Sequence, residues 1–347
     1  MKVSILILSA LFSLFSGTIV SAGKYTKVYE ETFQVAANHS IDITNVYGDI
    51  SVQIWDKNEV QITVTLMVEA RNERLAEDFF QATTIRFSAD SGGVTAKTHL
   101  SNSGFRRKNF SIDYVIHAPA ALAYIIRNTY GDVMLPDLGG PVTLDLAYSN
   151  FITGRLLNDT NQINAVYSEG TLAEIAGGVI SLAYSEVAFE KLKTLTISSV
   201  YSEIEVGSAD EMHLESSYDE VNIGQVNSLQ LASDFSDIRI NRLDERFDGS
   251  LTYGELNLEN ASSSVENIYI SATYADVFCG LTQAMGWKFL ARTTYSDLKI
   301  IGDTEGLDQC DENQSTQVCS GTLWGNAGTK AMVSVYATNA DITLEAR

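Results

Sequence analysis

The sequence predicts an all-β protein built as a single-stranded parallel β-solenoid, or β-helix, of about twelve coils of roughly 17–21 residues, with a short helix in its N-terminal cap and a right hand expected from the preference of parallel crossovers. Two observations predict it. Eleven times an aromatic residue is followed two positions later by an acid or its amide, the aromatics being Tyr47, Tyr130, Tyr148, Tyr167, Tyr184, Tyr201, Tyr218, Phe235, Tyr253, Tyr274 and Tyr295. From Tyr130 onward they recur at 18, 19, 17, 17, 17, 17, 18, 21 and 21 residues. When the units are aligned on the aromatic, the flanking positions alternate apolar and polar with the period of two that marks a strand.

Four residues before the aromatic stand Ile43, Ile126, Leu144, Ile163, Ile180, Ile197, Leu214, Leu231, Gly249, Ile270 and Ala291, a column that faces a core. After the aromatic come a small residue, the acid and a second apolar alternation, such as Val187/Phe189, Ile204/Val206 and Val221/Ile223. The inward parity shifts by one across the triplet, as a bend or bulge between two strands requires. A 17-residue unit supplies at most about 56 Å of path, which suits one narrow coil paired in parallel to its neighbours about 4.8 Å away. An antiparallel sandwich is the competing architecture, but it does not need the same residue at every corner.

In chain order, residues 1–22 read as a signal peptide, with Lys2, the apolar run Ile5 to Phe15 and the small-residue site Val20-Ser21-Ala22. Residues 23–125 form an N-terminal cap and first coils, containing the strand-like EVQITVTLMVEA and ARNERLAEDFFQA, whose apolar spacing predicts a short amphipathic helix. Residues 126–301 are the regular array. Residues 302–347 are a polar loop and a closing coil in which Asn339 occupies the aromatic slot and Asp341 the acid slot. Trp55, Trp287 and Trp324 fall at irregular places and are expected to pack under the caps.

The formal charge of −21 argues against nucleic acid or anionic headgroups as partners, because phosphate binding needs clustered Lys and Arg. No later stretch reaches the roughly 20 apolar residues of a membrane helix, so no transmembrane segment is expected after signal cleavage. The predicted location is exported: periplasm, cell surface or extracellular. Cys310 and Cys319 are placed to form a loop disulfide in an oxidising compartment, while Cys279 is expected as a buried free thiol.

The acid column, Asp49, Asp132, Asn150, Glu169, Glu186, Glu203, Glu220, Asp237, Glu255, Asp276 and Asp297, admits two readings. Each acid can accept hydrogen bonds from corner N–H groups. Alternatively Glu186, Glu203, Glu220 and Asp237 can hold Ca²⁺, a hard cation that takes several carboxylate oxygens; no other cofactor is expected. The aromatic column is expected to point inward and stack as a structural ladder, the alternative being an exposed strip of platforms for sugar rings. Catalysis is not expected. His39, His99, His117 and His213 fit no metal-ligand spacing, and no nucleophile elbow or phosphate loop occurs.

The stretch TFQVAANHSIDITNVYGDISVQIWDKNEVQITVTL, followed by FSIDYVIHAPAAL and the NTYGDVML unit, resembles the bacterial putative-adhesin family of exported β-solenoid proteins (DUF4097/DUF2807-like). Gly-Asp after the aromatic is kept only at Gly48-Asp49 and Gly131-Asp132 and mostly becomes Ser-Glu or Ser-Asp later. The resemblance implies a stacked-coil fold and an envelope or surface location; the expected role is a non-enzymatic adhesin-like binding or scaffold one, with surface glycans or envelope proteins as candidate partners. It supplies no catalytic residues. A purely structural envelope protein without a specific ligand, or a polysaccharide-binding or polysaccharide-degrading β-helix, are the alternatives.

Overall fold

The computed structural model describes residues 23–101, 109–302, 307–313, 315–324 and 329–347. The expected signal peptide and parts of the 302–330 excursion lie outside these. The described chain is nearly all β, mostly in parallel pairing, and divides into two compact units, Met1–Glu169 and Gly170–Arg347.

The first unit contains β1 (Gly23–Gln34), β2 (Ser40–Val46), β3 (Ile50–Ile54), β4 (Glu59–Ala70), α1 (Glu73–Ala82), β5 (Thr83–Asp90), β6 (Gly93–Leu100), β7 (Phe110–Ala118), β8 (Ala123–Thr129), β9 (Val133–Leu135), β10 (Val142–Ala147), β11 (Asn150–Leu156) and β12 (Asn161–Val166). On one side β6, β2, β8, β10 and β12 pair in parallel in that order, keeping Ile43 opposite Ile126, Ile126 opposite Leu144 and Leu144 opposite Ile163. On the other, β7, β3, β9 and β11 do the same. The Tyr47 repeat therefore lies between two stretches that both follow it in sequence.

Antiparallel strands finish this unit. β5 pairs with β6, β4 with β7, and β1 with β4. β4 alternates fully buried Val60, Ile62, Val64, Leu66 and Val68 with half-buried, mostly polar residues, which is the pattern of a strand with one core face. α1 starts at Asn72, whose side chain accepts a hydrogen bond from the Leu75 N–H at 3.0 Å, and it buries Ala76, Phe79 and Phe80. The Phe79 ring lies 4.9 Å from that of Phe110 on β7.

The second unit holds β13 (Glu169–Ala183, its first residue still in the first unit), β14 (Glu186–Val200), β15 (Glu203–Ser217), β16 (Glu220–Ala261), β17 (Asn267–Leu281), β18 (Trp287–Thr294), β19 (Leu298–Ile301), β20 (Leu307–Glu312), β21 (Thr316–Leu323), β22 (Met332–Thr338) and β23 (Ile342–Ala346). β14, β15 and the start of β16 pair in parallel at an offset of 17 residues, setting Ile197 beside Leu214 and Leu214 beside Leu231. Gly249 departs from the aliphatic column because the Phe247 ring fills its place: a Cβ there would stand 2.4 Å from ring carbons.

The C-terminal pair does not close the stack, as the sequence order suggested. β22 pairs in parallel with both β17 and β18, and β23 with β17 and β19, so the last repeat is inserted between the two before it. The end position goes instead to antiparallel β21 on β18, with β20 on β21. Unpaired backbone groups at a sheet edge favour pairing with any available strand, and the chain supplies one from the 302–330 excursion. Cys310 and Cys319 face each other across β20 and β21 and are joined in a disulfide.

Candidate functional site: the aromatic corner

All eleven aromatics have left-handed backbone, with φ between 50° and 62°, and Asn339 in the same slot has φ 51°. Left-handed conformation disfavours a bulky side chain by about 1–2 kcal/mol per residue, so this is a repeated, deliberate strain. It also breaks the strand alternation at the aromatic itself. The residue two before is buried, the aromatic points outward, the small residue after it points inward, and the acid points outward again. The expected inward orientation of the aromatic column is therefore corrected: the side chains are 37% to 52% exposed from Tyr47 to Tyr274, and Tyr295 is 71% exposed. A single left-handed residue turns the chain through the corner and flips the parity that strand reasoning carried through it.

The inward corner position is occupied by the small residue, and two hydrogen-bond chemistries serve it. At Gly48 and Gly131 a Cβ would come within 2.1 Å of a carbonyl oxygen of the neighbouring strand or corner. Here the donor comes from two residues before the aromatic. Asn45 Nδ2 donates to the Gly48 and Ile112 carbonyls at 3.1 and 2.8 Å, and Asn128 Nδ2 to those of Gly131 and Gly48 at 3.0 Å each. Where serine replaces glycine, the hydroxyl fills the corner. Ser149 N–H donates to Ser168 Oγ at 3.3 Å and Ser185 N–H to Ser202 Oγ at 3.2 Å, while Ser168 and Ser202 hydroxyls donate back to the Val166 and Val200 carbonyls.

Asp219 brings a carboxylate into the serine row, where it is only 5% exposed. Its Oδ1 accepts from the Ser202 N–H at 2.7 Å, and its Oδ2 accepts from the Ser216 hydroxyl at 2.7 Å and the Ser217 N–H at 3.0 Å. Desolvation raises its pKa above the ordinary carboxylate value, against the lowering effect of those hydrogen bonds. Asn45, Asn128 and the serine row are functional parts of the corner that sequence reasoning passed over, having given the work of fixing the bend to the acid. Their signal was legible: Asn precedes the aromatic by two in the two Tyr-Gly-Asp units.

Outside, the rings stack on one another. In the first unit Tyr47, Tyr130, Tyr148 and Tyr167 follow at centroid distances of 5.1, 5.0 and 5.0 Å with planes within 14°. In the second, Tyr184, Tyr201, Tyr218, Phe235, Tyr253 and Tyr274 follow at 5.2, 4.8, 4.9, 4.5 and 5.1 Å. Each internal ring has both faces covered by its neighbours and offers its edge and, for tyrosine, its hydroxyl. Flat platforms for sugar rings are therefore not available along these runs. Tyr295 is separated from Tyr274 by the inserted Asn339 repeat, which explains its greater exposure.

Beside the rings runs the acid row, exposed throughout. Corner N–H groups reach some of these acids: Asp132 N–H donates to Asp49 Oδ1 at 2.8 Å, and Asp341 N–H to Asp276 Oδ1 at 3.4 Å. Glu186, Glu203 and Glu220 instead stand opposite one another on paired strands. The Glu203 carboxyl is held above the usual range by Glu186 first, then by desolvation, Glu220 and Glu205. Another outer row behaves differently. Lys97, Asp42, Arg127 and Asp145 alternate in sign across adjacent strands, with contacts of 3.2, 2.8 and 3.3 Å. The corner row has no such interleaved cations.

Among the described residues no group of three or more His, Cys, Asp or Glu side chains is arranged to hold a metal ion; of the expected Ca²⁺ candidates, Glu186, Glu203 and Glu220 stand side by side on successive paired strands. Cys279 is fully buried, and burial pushes its thiol up to about 12. A groove of about 500 Å³ crosses the second unit elsewhere, lined by Thr194, Glu211, His213, Gln230 and Glu245. No helix of the described residues is long and apolar enough to cross a membrane.

No family model and no curated protein matches the chain. Among solved structures it is similar to a putative cell adhesion protein from Clostridium sporogenes, at 10% identity over 92% of this chain and 100% of that one, TM-score 0.18. It is similar also to a putative adhesin from Bacteroides fragilis, at 9% identity over 92% and 97%, TM-score 0.24. A putative lipid binding protein from Parabacteroides distasonis matches at 10% identity over 91% and 96%, TM-score 0.23.

Proposed function

We propose that the protein is an exported, non-enzymatic, adhesin-like binding or scaffold protein of the cell envelope or extracellular space, each unit being a stretch of right-handed β-solenoid in a total of about twelve coils. The observation that carries this reading is the contrast between two outer rows. One alternates Lys97, Asp42, Arg127 and Asp145 and satisfies itself, whereas the corner row presents carboxylates and tyrosine edges without interleaved cations. A surface that repeats every strand spacing suits an extended or repetitive partner, such as an envelope protein or a surface glycan, met by hydrogen bonds from its edge. No resident cofactor is proposed, because Ca²⁺ needs six to eight converging oxygens and the acid row supplies them side by side.

The test is binding of the exported protein to glycan arrays and to envelope fractions, repeated with E186Q/E203Q/E220Q. Binding that the triple variant weakens supports the corner as the contact surface. Silence on every surface would instead favour a scaffold whose rings and acids serve packing alone.

A further inference from the structure

β1 is an end strand of the first unit. It pairs along its full length with β4, from Gly23 opposite Ala70 to Gln34 opposite Glu59, and among the described residues with no other strand. Its second edge thus carries a row of backbone groups over twelve residues, with no proline to blunt it. Register with β4 puts Tyr25, Lys27, Tyr29, Glu31 and Phe33 on the core-side face, opposite Val68, Leu66, Val64, Ile62 and Val60. The β4 partners are fully buried, but Tyr25, Tyr29 and Phe33 are only half-buried, because the core stops at this strand.

A lysine on the core-side face of an edge strand normally discourages pairing. Here it selects a partner. We propose that β1 joins the β1 of a second copy of this chain, antiparallel about a two-fold axis at Tyr29. That register sets Tyr25 across from Phe33 and Lys27 across from Glu31, each twice, and Tyr29 against its own copy, all on one face. Cross-strand neighbours of this kind, aromatic with aromatic and cation with anion, are the pairs that stabilise antiparallel sheets. Neighbouring registers match less well: an axis at Val28 leaves Glu31 opposite Tyr25 rather than opposite a cation, one at Lys27 sets two lysines together, and one at Glu30 sets two glutamates together on the opposite face. The contact is isologous, so it closes as a dimer and leaves no growing edge. Lys24, Lys27, Glu30 and Glu31 cancel, making β1 a locally neutral strip on a chain of formal charge −21, the kind of place where two copies repel least.

Charge exchange tests the pairing. The exported chain is examined by sedimentation equilibrium alongside K27E, E31K, the double variant K27E/E31K, and an equimolar mixture of the two single variants. Wild type is expected to dimerise, each single variant to dimerise about tenfold or more weakly, and both the double variant and the mixture to recover, since each restores unlike charges at the same positions. Recovery in the double variant also separates lost pairing from lost folding. A wild type that stays monomeric at every concentration, or a dimer indifferent to K27E and E31K, overturns the proposal.

Discussion

At the corner, a residue that strand reasoning treats as unfavourable recurs in eleven repeats: an aromatic with left-handed backbone. Stacking offsets it. Each internal ring gains two stacked neighbours at about 5 Å, and offset aromatic contacts contribute roughly 0.5–1.5 kcal/mol beyond area burial. Asn339 shows the complementary solution, a residue that tolerates positive φ without a ring. Replacing Tyr201 should separate the terms. Both Y201N and Y201V lose the contacts to Tyr184 and Tyr218, but valine is β-branched and should unfold more easily than the asparagine variant by about 1–2 kcal/mol in denaturant titrations. Asp219 yields a second prediction. Its raised pKa means the native state holds the proton more tightly than the unfolded chain, so stability is lost as pH rises from the ordinary Asp range through the native value. The stability of D219S relative to wild type should therefore rise with pH across that window; a pH-independent difference would show that Asp219 stays fully hydrogen-bonded and indifferent to its burial.

Among elements, parallel registration is what turns one acid per repeat into a row. Glu186, Glu203 and Glu220 occupy equivalent positions on β14, β15 and β16, and their mutual repulsion shows in the upward shift at Glu203. E203Q should melt higher than wild type at neutral pH and low ionic strength. The gain should shrink with added salt and disappear below the ordinary Glu pKa, where the wild-type carboxyl is protonated in both states. The strands themselves were legible in the sequence because their columns alternate, and α1 because Ala76, Phe79 and Phe80 lie one helical turn apart after an Asn cap. The direction of the aromatic was not legible. Alternation assumes extended backbone on both sides of a residue, and one left-handed φ cancels it.

For the whole molecule, the ends of the chain are where sequence order and spatial order part. β6 and β7 lie outside the Tyr47 repeat, and β22 and β23 lie inside the Tyr295 repeat. At this scale the cation reading meets its simplest check: the melting temperature in Ca²⁺ should equal that in EDTA, and a rise with Ca²⁺ would restore Glu186, Glu203, Glu220 and Asp237 as ligands. The β1 edge belongs to the same scale, since an open edge exists only once the other strands have been placed.

The residues alone determined the all-β character, the repeat length, the core columns and the run of acids, because each depends on neighbours within one repeat. Tertiary structure decided the rest: that the rings face outward and cover one another, that Asn or Ser rather than the acid ties the inner corner, and which strand lies at an edge. Those outcomes depend on backbone dihedrals and on contacts between residues up to 85 positions apart, as Asp42 and Arg127 are. A repeat period, which records only what each unit has in common, carries no information about either.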